Sequence, residues 1–130
     1  FALVLGLGGS AVHLLVALTP LGPWLFEHVG GLPPSMAAFA TDAFLFAAAL
    51  PLLSWLVSLW TGLLVDARRT RAITEAVAVF IVGVTAGLVI GARTDLVSGA
   101  VAANIALTAG LALEAAWLAW RWRKLRPRHG

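Results

Sequence analysis

The chain has 130 residues, 61% of them hydrophobic and only 12% charged. Soluble domains carry about 25% charged residues, so a water-soluble globular domain is excluded. The net charge of +3 would suit nucleic acid in a soluble protein, but here the cations flank apolar stretches, where anionic lipid headgroups are the fitting partner.

Crossing roughly 30 Å of hydrocarbon takes about 20 residues of helix, and four segments qualify. The first runs from about Phe1 to Thr19 and stops at Pro20, with Gly22 and Pro23 reinforcing the break. It lacks the basic n-region of a signal peptide and starts at Phe1, not methionine, so a piece of a longer polypeptide is expected. Residues 23–29 are too short to span and amphipathic, with Trp24 at one end, and are expected to form a short helix in the membrane interface. The second span starts after Pro33 and Pro34, with Ser35 as N-cap, and continues to about Val65. Within it Pro51 removes a backbone donor and predicts a kink near Ala47. The third span covers about Ala72–Ile90 and the fourth about Leu96–Trp122, followed by a basic tail over 123–130. The expected fold is all-α: a polytopic integral membrane protein with four transmembrane helices and a short interfacial helix between the first two.

Charge sets the orientation. Arg68, Arg69 and Arg71 lie between spans two and three; Arg121, Arg123, Lys124, Arg126 and Arg128 close the chain, and only Arg93 lies elsewhere. The positive-inside bias puts that loop, the tail and both termini on the cytoplasmic side. Arg68, Arg69, Arg71, Arg121, Arg123, Lys124 and Arg126 are then expected to meet lipid headgroups. Trp60, Trp117, Trp120 and Trp122 near the inner span ends and Trp24 outside form the expected aromatic belts, while Trp55 is deeper and packs on a helix or on lipid. Arg93 and Asp95 belong to the outer turn, and Glu75 follows Arg71 by one helical turn, a local ion pair.

Gly83, Gly87 and Gly91 recur every four residues on span three and so share one face, where small residues let another helix approach closely. Span four offers Gly99, Ala103 and Ala106 or Leu107 in return. The partner of the glycine face lies either within the chain or in a neighbouring one.

Ionisable groups in hydrocarbon cost about 2.5–3.5 kcal/mol on insertion scales, so each needs a reason. By helical rise His13 lies roughly 9 Å from the outer end of its span, Asp42 roughly 10 Å and Asn104 roughly 12 Å. Glu114 lies about 12 Å from Trp122, in the inner half. The first three either line one polar cavity able to take up a proton or cation, or are separately satisfied: Asp42 near headgroups, His13 on a backbone carbonyl, Asn104 across a helix pair. Glu114 faces the bundle interior or a neighbouring chain, as a structural hydrogen-bonding group or as part of transport. The cation- or proton-coupling candidates are thus Asp42, His13, Asn104 and Glu114. No cofactor is called for, although a lone His13 could also ligate a tetrapyrrole metal. Gly6–Leu7–Gly8–Gly9–Ser10 lacks the strand–turn–helix setting of a nucleotide fingerprint. No P-loop, zinc pair or nucleophile–base constellation is present, without cysteine there is no thiolate site, and no enzyme is expected.

The run Leu18–Thr19–Pro20–Leu21–Gly22–Pro23–Trp24 with Gly31–Leu32–Pro33–Pro34, then Thr61–Gly62–Leu63–Leu64 and Arg68–Arg69–Thr70–Arg71–Ala72–Ile73, resembles part of a known family. It is similar to the last four helices of the C-terminal lobe of a MATE-like membrane protein of the multidrug/oligosaccharidyl-lipid/polysaccharide exporter superfamily. The resemblance covers nearly the whole chain through short motifs, and four spans are not a complete six-helix lobe. It implies a transporter module, an antiporter driven by H+ or Na+, in a bacterial inner membrane. The family's cation-site residues do not transfer by motif; by its place on the early, outer part of a lobe helix, Asp42 would be the coupling acid, helped by His13 and Asn104. The alternative is a non-catalytic accessory subunit packed in a larger membrane complex through the Gly83–Gly87–Gly91 face. Partners are then membrane lipids and further transmembrane helices of the same protein or of other subunits, not nucleic acid.

Overall fold

The computed structural model describes residues 2–94 and 98–125. These are all helix, turn and short loop, with three helices long and apolar enough to cross a membrane, or four if a bent first pair counts as one crossing. Asp95, the expected fourth-span start at Leu96, and Arg126 and Arg128 of the tail lie outside the described residues.

Helix α1 (Ala2–Leu18) ends where the Thr19 hydroxyl donates back to the Leu15 carbonyl (2.6 Å) and Pro20 offers no N–H to continue the ladder. Helix α2 (Leu21–Val29) leaves at 89° to α1, and its second half, Leu25–Val29, winds as a π-turn. Gly22 makes the corner possible: a Cβ there would lie 2.7 Å from both Thr41 Cγ2 and the Val16 carbonyl oxygen. Gly31, at φ +66, then turns the chain into α3. Helix α3 (Pro34–Phe46) opens with Pro34 in its first turn, where a missing N–H costs nothing. Ser35, expected as the N-cap, sits inside that turn instead, because Pro33 holds the cap position and no side chain caps the helix.

Helix α4 (Leu50–Asp66) continues the line of α3 after a turn at 47–49. The break falls where Pro51 predicted a kink. At its far end Arg68 adopts φ +55, and the N–H groups of Arg68 and Arg69 close on Val65 O (2.9 Å) and Leu64 O (2.8 Å), a Schellman closure with arginine at the glycine position. Helices α5 (Thr70–Thr94) and α6 (Gly99–Leu125) form an antiparallel pair. α6 continues through Arg123 and Lys124, so the expected tail begins as helix, beyond Trp122.

Small residues set the α5–α6 distance. A Cβ on Gly87 would meet Ala106 Cβ at 2.8 Å, one on Gly91 would meet Ala102 Cβ at 2.8 Å, and one on Gly83 would meet Leu113 Cδ1 at 2.9 Å. A Cβ on Gly110 would run into Val84 Cγ2. One expectation is corrected in part. Of the residues expected on α6, Ala106 does meet the glycine face, flanked by Ala102 and Gly110; Gly99 and Ala103 do not, since Gly99 has open space where its Cβ would be and Ala103 is exposed. Within the chain, the Gly83–Gly87–Gly91 face packs against α6, and its three glycines remain half-buried.

Helix α6 packs against α3, α4 and α5, while α1 packs on α3 and α4. At the arginine-rich end, Leu64, Ala72, Ala76 and Leu118 form the tightest core, with Trp60, Trp117 and Trp122 against it. Trp55 packs on α1, where a Cβ on Gly6 would sit 3.0 Å from Trp55 Cβ. Large apolar side chains otherwise point outward: Val4 and Leu18 are 70% exposed and Val82 69%. Apolar surface this continuous is uncommon on a soluble monomer and suits lipid or neighbouring helices.

Candidate functional site

The most unusual local chemistry lies at the α3–α4 break. Pro51 has no N–H, so the turn must close without it: Leu50 N–H bonds Ala47 O at 3.0 Å, and the regular ladder resumes with Leu53 N–H on Ala49 O. Two of the backbone groups freed at the turn find partners on other helices. Thr108 Oγ1 of α6 donates to Phe46 O at 3.0 Å, and Leu52 N–H donates to Ser10 Oγ of α1 at 3.2 Å. Gly9 allows the approach, since its Cβ would stand 3.0 Å from Pro51 Cβ. Unpaired backbone groups among apolar side chains are costly, and hydroxyls on both flanks satisfy these two.

Just above the break, on α1, His13 Nδ1 lies 2.9 Å from Gly9 O in its own helix, and its ring stacks on Phe44 at 4.5 Å between centroids. Phe26 of α2 meets the same Phe44 edge-on at 5.9 Å, above an apolar cleft of about 370 Å³ shared by α1, α2 and α3. This is the environment of a packed histidine. Asn104 Nδ2 donates to Ala100 O of its own helix (3.1 Å), not across a helix pair. Asp42 is exposed, on the side of α3 away from Thr41 and Ala43, which are buried. Two residues along a helix turn by about 200°, so Asp42 and the His13-facing Phe44 look to opposite sides. The shared depth of His13, Asp42 and Asn104 does not become a shared cavity: depth comes from position in the chain, whereas rotation is set by packing.

Glu114 is only 8% exposed and makes no hydrogen bond or ion pair with another described residue. Toward the arginine-rich end, Arg121 Nε stands 3.1 Å from Glu75 Oε2 and its Nη2 3.4 Å from Oε1, while Arg71 Nε reaches Oε1 at 3.3 Å. The Nε contact is an ion pair by distance without an aligned hydrogen bond. The Arg71–Glu75 pair is the local one expected. Arg121 corrects an expectation: it is engaged by Glu75 between α5 and α6 and is not a free headgroup cation. Arg68, Arg69, Arg71 and Arg123 are exposed, and Lys124 Nζ lies 4.0 Å over the Trp120 ring.

Among the described residues no three His, Cys, Asp or Glu side chains converge as a metal-holding group. No protein-family model matches the chain, and neither does any curated protein or solved structure. Ser10, Thr108 and Phe44 were missed from sequence. The only signal was a hydroxyl on each of two apolar helices, and nothing local tied either one to Pro51.

Proposed function

We infer that the chain is a membrane transporter module, part of a MATE-like cation-coupled exporter in a bacterial inner membrane. The observation that carries this is the interrupted span at 47–49, whose freed backbone groups are held by Ser10 and Thr108. Helices broken at membrane depth recur where transporters bind and rearrange. α1 makes the fourth crossing, about 25 Å long by helical rise, and α2 lies across it in the outer interface with Trp24 exposed. Both termini are cytoplasmic, and Arg68, Arg69, Arg71, Arg123 and Lys124 sit among inner-leaflet headgroups. The lobe rocks about the break, with the regular α5–α6 pair as its stiff side.

The test is movement of a lipophilic cationic dye in proteoliposomes under an imposed pH or Na+ gradient. Gradient-driven movement that is lost in Pro51→Ala, which restores the missing donor, and kept in Gly99→Leu supports the inference. No gradient-driven movement with correctly folded protein would overturn it.

One observation favours the second possibility, an accessory subunit. Asp42 faces out of the bundle between Phe39 and Phe46, which are 44% and 42% exposed. A carboxylate turned to lipid is costly, so this α3 face suits contact with a further transmembrane helix. Asp42→Ala would then release co-purifying chains without altering this chain's helicity, and intact assembly would count against it.

A further inference from the structure

Glu114 stands apart from every interaction described above. It is more than nine-tenths buried and has no partner among the described residues. One turn on, the Trp117 indole N–H is also buried without a hydrogen bond. One turn further, Arg121 meets Glu75 of α5, which also holds Arg71. Positions 114, 117 and 121 follow the i, i+3, i+7 spacing of a single helix face. That face runs about 10 Å from the apolar interior to the arginine-rich end.

The chemistry of this face selects a ligand. An uncompensated buried carboxylate costs several kcal/mol, and the same group as a neutral acid costs far less. A cation could compensate it, but the helices packed on α6 bring few charged groups. α3 carries only Asp42 and α4 only Asp66, both exposed; α5 carries Arg71, Glu75 and Arg93. Of these, Glu75 and Arg71 are committed to the ion pair network at the end of the bundle, and Arg93 lies at the opposite end of α5. On the same face the Trp117 indole N–H is a buried donor without a partner, which a water standing between it and Glu114 could accept from.

We propose that Glu114 is a proton-binding carboxyl, reached from the arginine-rich end along the Glu114–Trp117–Arg121 face, with the Glu75–Arg121 pair at its mouth. The use of that proton for coupling rests on the transporter reading, in which Glu114 replaces Asp42 as the coupling acid. Binding itself is measured without transport.

The test uses the full chain in lipid nanodiscs. Dicyclohexylcarbodiimide adds to protonated carboxyls in apolar surroundings, and intact mass with peptide mapping locates the adduct. One adduct is expected on Glu114, lost in Glu114→Gln, with labelling that falls as pH is raised. In the infrared, the band of a protonated carboxyl should be present in the wild type, absent from Glu114→Gln, and shifted on transfer to D2O. If Glu114→Gln does not assemble, mapping of the wild-type adduct still decides the matter. Absence of both adduct and band across the pH series would overturn the proposal, and a band that ignores D2O would overturn the route. A positive result without dye transport would leave the proton site standing and remove the transporter function.

Discussion

The α5–α6 pair and the α3–α4 pair, both long and apolar enough to cross a membrane, pack in opposite ways. α5 and α6 are continuous and meet through glycine and alanine, so their stability is van der Waals contact at close range. The α3–α4 span is interrupted, and its loose backbone groups are held by one hydroxyl from each flanking helix. The first arrangement tolerates no added volume. The second rests on a few hydrogen bonds and can rearrange at modest cost. Close packing and hydrogen-bond bracing thus fall in different parts of one small bundle.

The largest effect is expected in the close-packed pair. Gly87→Leu must push against the Ala106 backbone, since even a Cβ would lie 3.1 Å from Ala106 Cα. Overpacking of this kind costs about 1–3 kcal/mol, sometimes more. Chemical denaturation in detergent should show it, with Gly99→Leu near wild type as the control for added bulk alone. Equal losses from both would mean that the ladder does not set the helix distance.

At the break the expected cost is smaller. Thr108→Val removes the donor to Phe46 O, and Ser10→Ala removes the acceptor for Leu52 N–H. Interhelical hydrogen bonds in membranes average about 0.6 kcal/mol, with a maximum near 1.7. Each variant should lose that much in the same unfolding assay, and their effects should not simply add if both bonds brace one turn.

The ion pair comes next. Glu75→Gln is expected to cost about 0.5–1 kcal/mol, because the pair is partly exposed, and the loss should shrink as salt is added. Smallest, and opposite in sign, is Arg68→Gly. An L-residue at positive φ is strained, and glycine relieves that while adding freedom to the unfolded chain. A net gain of about 0.5–1 kcal/mol is expected in thermal unfolding.

What sequence could show follows the same division. The all-helical class with long apolar helices, the break near Pro51, the shared face of Gly83, Gly87 and Gly91, and the Arg71–Glu75 pair are local in the chain and were legible. Their partners were not. Of the expected α6 residues only Ala106 lies in the contact, beside Ala102 and Gly110, because the rotation of α6 depends on how it seats against α3 and α4 together. Ser10 and Thr108 lie 42 and 62 residues from the groups they satisfy, and Arg121 lies 46 from Glu75. Asp42 shows the limit most clearly. Its depth matched that of His13 and Asn104, yet a rotation of about 200° along α3 separates it from the residue His13 touches.

Amide hydrogen exchange of the chain in nanodiscs tests the division most directly. Amides of residues 47–53 should exchange faster than those of 80–91 and 102–113, and faster again in Thr108→Val, while the α5–α6 amides stay unchanged. Uniform protection across both regions, unaffected by Thr108→Val, would contradict it.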